Sequence, residues 1–96
     1  MPSLKKHCEE SERVFGEAFK ESHRWLDEFA GAPGFGMRHR KKRHHEAGIQ
    51  QAIKLFGEIG GRVARQHIIS DLKEEGWTEK DRFPQNEEDY VKMVLF

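Results

Sequence analysis

The chain has 96 residues, enough for one small domain that buries roughly 60–70% of its unfolded surface around a single modest core. Seventeen Lys/Arg balance seventeen Asp/Glu, so no net field draws the protein to nucleic acid or to a charged surface. Cys8 is the single cysteine, which excludes an internal disulfide and a cysteine-based zinc site.

No apolar run has the length of a signal peptide or a membrane span, so the expected location is the cytoplasm, without membrane contact. Hydrophobic and charged residues each make up 35% of the chain. Such a composition suits a soluble protein with little spare apolar material, and equally one that completes its core by dimerising or by binding a metal.

Ser3 is a candidate N-cap, and Leu4, Cys8, Ser11, Phe15, Phe19, Ser22, Leu26 and Phe29 follow at spacings of three or four. That spacing predicts helix. Gly16 interrupts it, so the stretch reads as a kinked helix or as two helices near 3–15 and 18–30. Gly31-Ala-Pro-Gly-Phe-Gly36 is a breaker. A second helical pattern runs from Met37 to Phe56, with His45, Ile49, Ala52, Ile53 and Phe56 on one face, and Gly57, Gly60 and Gly61 loosen or end it. A further helix is expected over about 62–75, closed by Gly76, and Asn86 followed by Glu87, Glu88 and Asp89 marks the start of a short last helix. No segment alternates with the period of a strand. The fold class is therefore all-α, a bundle of four to five helices spanning residues 1–96 as one domain. The apolar ending from Val91 to Phe96 is expected to dock on the core or on a second copy, as a homodimer contact.

Chemistry is concentrated in the histidines. His23 with Asp27 and His67 with Asp71 are spaced four apart, which on a helix points each imidazole and carboxylate the same way. Such a pair ligates a transition metal, or the carboxylate fixes the tautomer of a ligating His, or the pair is an ordinary surface contact. In the helical pattern from Met37, His45 shares the apolar face, His39 flanks it and His44 points elsewhere. His67 faces inward on the next helix. Inward histidines on consecutive helices are how bundles build metal sites; core histidines bonded to one another and to carboxylates are the structural counterpart.

The basic run Arg38, Arg40, Lys41, Lys42, Arg43 opposes the dipole of the helix it was expected to start, and an anion would relieve that opposition. The run has no aromatic residue for base stacking and no second basic patch, which disfavours nucleic acid. No nucleophile motif stands out, since Cys8, Ser11 and Ser22 all sit on the first stripe.

With these residues in view, the chain resembles a family of small bacterial proteins of unknown function over nearly its whole length. The resemblance rests on His7 with Ser11, Phe15-Gly16, His23-Arg-Trp-Leu-Asp27, His39-Arg40, His44-His45, Gly48-Ile49, Phe56-Gly57, Gln66-His67-Ile68, Asp71-Leu72 and Pro84. It implies that His7, His23, His39, His44, His45 and His67 belong to one shared polar site, and it brings no assigned reaction.

The reading is an interior His/Asp site. His39, His45, His67, Asp71, His23 and Asp27 are the candidate ligands of a divalent transition metal (zinc, iron, manganese or nickel). His7, His44, Arg40 and Arg43 stand behind them or hold an anion. Metal-dependent hydrolysis of a phosphate-containing or other small substrate is the activity in view. The alternative is a non-enzymatic helical dimer whose run 38–43 contacts nucleic acid or an acidic partner.

Overall fold

The computed structural model describes residues 4–28 and 40–93. The described residues are mostly helical and include no strand. Helix α1 is Leu4–Phe15, α2 is Lys20–Leu26, α3 is Glu46–Glu74 and α4 is Glu87–Lys92. His39, Arg38, the 31–36 breaker and the 94–96 end of the expected dimer contact lie outside the described residues.

Of the two readings of the first stripe, the pair of helices is the one found. Gly16, at φ 87°, stops α1 in the left-handed conformation that costs glycine nothing, and its N–H returns to the Glu12 carbonyl. Polar residues, His7 and Ser11, are the buried ones on α1, while Leu4, Cys8 and Phe15 are half-buried. This helix docks through hydrogen bonds.

Over the described residues 40–45 the expected helix is replaced by a tight turn at 40–44, where the Arg40 carbonyl accepts the N–H groups of Arg43 and His44. The α3 helix starts only at Glu46. All four N–H groups of its first turn have protein partners. Glu46 donates to the Pro84 carbonyl, Ala47 to that of Gln85, and Ile49 to that of His45, and Gly48 donates to His45 Nδ1. A first turn closed in this way offers nothing to an anion. A Cβ at Gly48 would collide with the Arg43 carbonyl, so the turn and the helix start are packed backbone to backbone.

Although α3 spans 29 residues, Gly57 breaks it with φ 82° and ψ −177°, a combination open essentially to glycine alone. Gly61 lies against the side chains of Ile53 and Ile49, and Arg65 reaches Glu46 at 3.0 Å. A straight helix would put residues 49 and 61 about 18 Å apart, so the chain folds back at Gly57 into two arms, 46–56 and 58–74. Leu26, Ile49, Ala52, Ala64, Ile68, Leu72, Trp77 and Tyr90 form the apolar core between these arms, α2 and α4.

After α3, Gly76 (φ 95°) turns the chain, the Trp77 indole donates to the Arg82 carbonyl at 3.0 Å, and Asn86 caps α4 by accepting from the Asp89 N–H at 2.8 Å.

No atom lies within 4 Å of a Cβ built on Gly57. Gly57→Ala is thus expected to cost about 1–3 kcal/mol through backbone conformation alone, read as a lower urea midpoint. Unchanged stability would mean that the chain does not fold back there.

A candidate metal centre of imidazoles and carboxylates

Asp71, one turn beyond His67 on the second arm of α3, has a carboxylate that is 1% exposed. Both of its oxygens face nitrogen. Oδ1 lies 3.2 Å from His7 Nε2 and 3.3 Å from Arg40 Nη2. Oδ2 lies 2.9 Å from His44 Nε2 and 3.3 Å from His67 Nε2. The turn at 40–44 thus places a guanidinium on one oxygen and an imidazole on the other, and α1 adds His7. Asp27, the residue that caps α2, comes alongside at 3.6 Å from His44 Nε2 and 3.4 Å from His67 Nε2.

A second layer lies behind His67. Its Nδ1 is 2.8 Å from His23 Nδ1, and His23 Nε2 is 2.7 Å from the Ser11 hydroxyl. The His7 ring stacks on His67 with centroids 3.7 Å apart and planes 18° apart, and His23 lies 5.0 Å from His67 at 23°.

Among the described residues, two groups have ligand atoms close enough together to hold a metal ion: Asp27, His44, His67, Asp71, and His7, His23, His67. They differ in ring geometry. An imidazole lone pair lies in the ring plane, so His7, stacked face to face on His67, does not aim at the same point, and the Nδ1 atoms of His23 and His67 are turned on each other. In the first group His44 meets His67 at 72°, with both Nε2 atoms directed at the same carboxylates. The buried His67 Nε2 makes no hydrogen bond of acceptable geometry despite two carboxylates within 3.4 Å. Such an atom is costly unless something else occupies its lone pair or proton.

The cluster sets its own charge states. Burial drives His23 down to about 3, with the neighbouring His67 and His7 adding to the effect. Burial also drives His44 down to about 4, outweighing the hydrogen bond to Asp71. On His67 burial acts the same way, but the carboxylates of Asp27 and Asp71 close to Nε2 outweigh it and raise the pKa. Burial alone would raise Asp71, yet its bonds to His44, His67 and His7 hold it well below the carboxylate range. Asp27 is likewise lowered, burial being overcome by His67 and His44.

These residues fall within a known sequence family. The chain belongs to DUF6915, a domain of unknown function, which matches residues 2–93. No curated protein and no solved structure matches the chain.

Of the candidate ligands, the structure brings His67, Asp71, His23 and Asp27 together, and adds His44 and His7 at the centre. His45 is elsewhere. As the N-cap of α3 it accepts from Gly48 with Nδ1 and donates through Nε2 to the Lys41 carbonyl at 3.0 Å, which leaves no lone pair for a metal. His39 lies outside the described residues. Arg40 is buried against Asp71 and Glu75. Arg43 donates to the Trp25 carbonyl, pairs with Glu28 at 3.1 Å, and lies over the Trp25 ring. Arg40 and Arg43 of the basic run are thus turned inward. Ser11 is the member that sequence reasoning missed, and its signal was a polar residue on an otherwise apolar stripe. A groove of about 710 Å³ with Ile49, Ile53, Gly61, Arg62 and Ile69 among its walls includes none of the cluster residues.

Two outcomes follow for the metal-free protein. Asp71→Asn leaves His7, Arg40, His44 and His67 around a neutral group, and breaking a buried charge pair costs about 3–5 kcal/mol. Urea denaturation in chelator should show a loss of that size; less than about 1 kcal/mol, the worth of a surface pair, would contradict the convergence described.

The second outcome is pH dependence. Between pH 6.5 and the folded values of about 4 for His44 and about 3 for His23, the unfolded chain binds protons that the folded one refuses. Each ring therefore removes about 1.4 kcal/mol of stability per pH unit as pH falls through that window. His67 has the opposite sign: its contribution is complete below the unfolded value and disappears as pH rises through its raised folded value. Stability should peak near neutrality, and a urea midpoint that stayed flat between pH 4.5 and 6.5 would be the contrary result.

Proposed function

We propose that this protein binds a divalent transition metal through Asp27, His44, His67 and Asp71. The observation that carries this reading is the spacing of the ligand atoms. Atoms held 2.0–2.2 Å from one centre at tetrahedral angles lie roughly 3.3–3.6 Å apart. Of the imidazole-to-carboxylate distances, 3.3, 3.4 and 3.6 Å fall in that range and 2.9 Å is shorter, the two to Asp27 reaching different oxygens. One ligand atom from each of the four residues lies within 4.8 Å of the others.

Charge supports it too. Two ionised carboxylates with neutral imidazoles match a divalent cation, while Arg40 is balanced by Glu75 at 2.8 Å. The cation would take the place of the proton that the two carboxylates otherwise draw onto His67 Nε2. Nitrogen donors favour zinc, iron, manganese or nickel over calcium or magnesium, which prefer all-oxygen shells.

The Asp27 side chain is 27% exposed, against 0–2% for His44, His67 and Asp71. Water and a small substrate would therefore reach the metal past Asp27. Hydrolysis of a phosphate-containing or other small substrate is the activity such a metal supports, because it lowers the pKa of bound water. The alternative, a helical dimer contacting nucleic acid or an acidic partner through 38–43, has less behind it, since Arg40, Lys42 and Arg43 pair with Glu75, Glu87 and Glu28.

Untagged protein purified without chelator or nickel resin should carry near-stoichiometric metal by elemental analysis. Zinc at 100 times its Kd should stabilise the fold by about 2.7 kcal/mol, and His67→Ala should abolish that gain. Absence of metal, with no uptake on titration, would leave a hydrogen-bonded structural core instead.

A further inference from the structure

His23 and Ser11 stand outside the four-residue ligand group, yet they form a chain of contacts that ends on the other nitrogen of His67. Two Nδ1 atoms 2.8 Å apart, as in His23 and His67, are hydrogen-bonded only if one holds a proton and the other a lone pair. Two arrangements satisfy this. In the first, His67 Nδ1–H donates to His23 Nδ1, and His23 Nε2–H donates to the Ser11 hydroxyl oxygen 2.7 Å away. In the second every bond is reversed: Ser11 donates to His23, His23 Nδ1–H donates to His67, and the one proton of a neutral His67 lies on Nε2. A proton there blocks a metal. A cation at His67 Nε2 thus requires the first arrangement, and the first arrangement requires an acceptor beyond His23.

We infer that His23, oriented by Ser11, is a positioning residue that holds His67 in the tautomer able to ligate a metal through Nε2. This rests on the metal reading above. A ligating His commonly gives its second N–H to a carboxylate or a carbonyl; here an imidazole takes that place. His23 stands apart from the ligands because both of its nitrogens are engaged, Nδ1 with His67 and Nε2 with Ser11. Its ring is 1% exposed and Ser11 is 0% exposed, so no water competes for either bond. The relay also ties α1, which supplies no ligand to the four-residue group, to the affinity of the site.

The test compares full-length wild type, Ser11→Ala, His23→Leu and His23→Gln. Zinc affinity is measured by chelator competition, the metal-free melting temperature serves as the control for folding, and the imidazole protons of the zinc-loaded wild type are placed by long-range 1H–15N spectra. Expected are a loss of about 10–100-fold for His23→Leu, a smaller loss for Ser11→Ala, and recovery of most of the affinity in His23→Gln, whose Oε1 can accept from His67. The spectra should place protons on His67 Nδ1 and His23 Nε2. Wild-type affinity in a folded His23→Leu overturns the inference and leaves the metal site standing. Equal damage in folded Leu and Gln variants also overturns it, making His23 a ligand. If His23→Leu does not fold, Ser11→Ala decides, and unchanged affinity is then the negative result. No zinc uptake by wild type overturns this inference and the metal reading together.

Discussion

The buried carboxylate of Asp71 is the constraint on which the other contacts depend. Removing a carboxylate from water costs several kcal/mol even after the protein relaxes around it, and one partner does not offset that. Asp71 has nitrogen neighbours from three directions: His7 from α1, Arg40 and His44 from the 40–44 turn, and His67 from its own helix. Each fixes one piece of chain against α3. With a small apolar core among the described residues, the chain uses this polar knot where a larger protein would use more leucine and phenylalanine. Polar networks of this kind specify geometry more sharply than apolar packing, because a displaced donor leaves a buried charge unmatched.

Individual pairing also explains the basic run. On a surface its charges would have added up to a field. Instead Arg40 spans Asp71 and Glu75, and the Tyr90 hydroxyl lies 3.5 Å from Glu75 on the other side. Arg43 covers the Trp25 ring while holding the Trp25 carbonyl and Glu28. The arginines thus fasten the turn to α2 and to the end of α3. Planar guanidinium groups suit that work, since they bridge two acceptors and stack on an aromatic face at once.

His67 is the residue with two faces. One nitrogen meets the carboxylates and His44, and the other meets His23 and, through it, Ser11. The difference between a site for a cation and a path for a proton lies in ring orientation. His7 lies face to face with His67, and His23 and His67 turn their Nδ1 atoms on each other, whereas the Nε2 atoms of His44 and His67 share two carboxylates. DUF6915 carries no assigned reaction, so the chemistry of this chain is argued from these atoms.

Much was written in the residues alone. The three- and four-residue spacing of apolar positions, with no period of two, determined an all-helical chain. Gly16, Gly57 and Gly76 marked where helices stop or turn, because their backbone angles are ones that other residues rarely adopt. The pairs His23/Asp27 and His67/Asp71 pointed to a polar site, and both lie in it. Tertiary structure decided the rest. Helical periodicity put His45 on the inner face and turned His44 away, but the helix starts at Glu46, so periodicity did not apply to either residue. His45 became a cap, and the turn rotated His44 inward. Nor does spacing within a pair show what each partner touches: His23 bonds Ser11 and His67, 12 and 44 residues away, and Asp27 lies beside His44 and His67. Contacts at such separations arise only when helices pack, and a local pattern carries no information about which faces will meet.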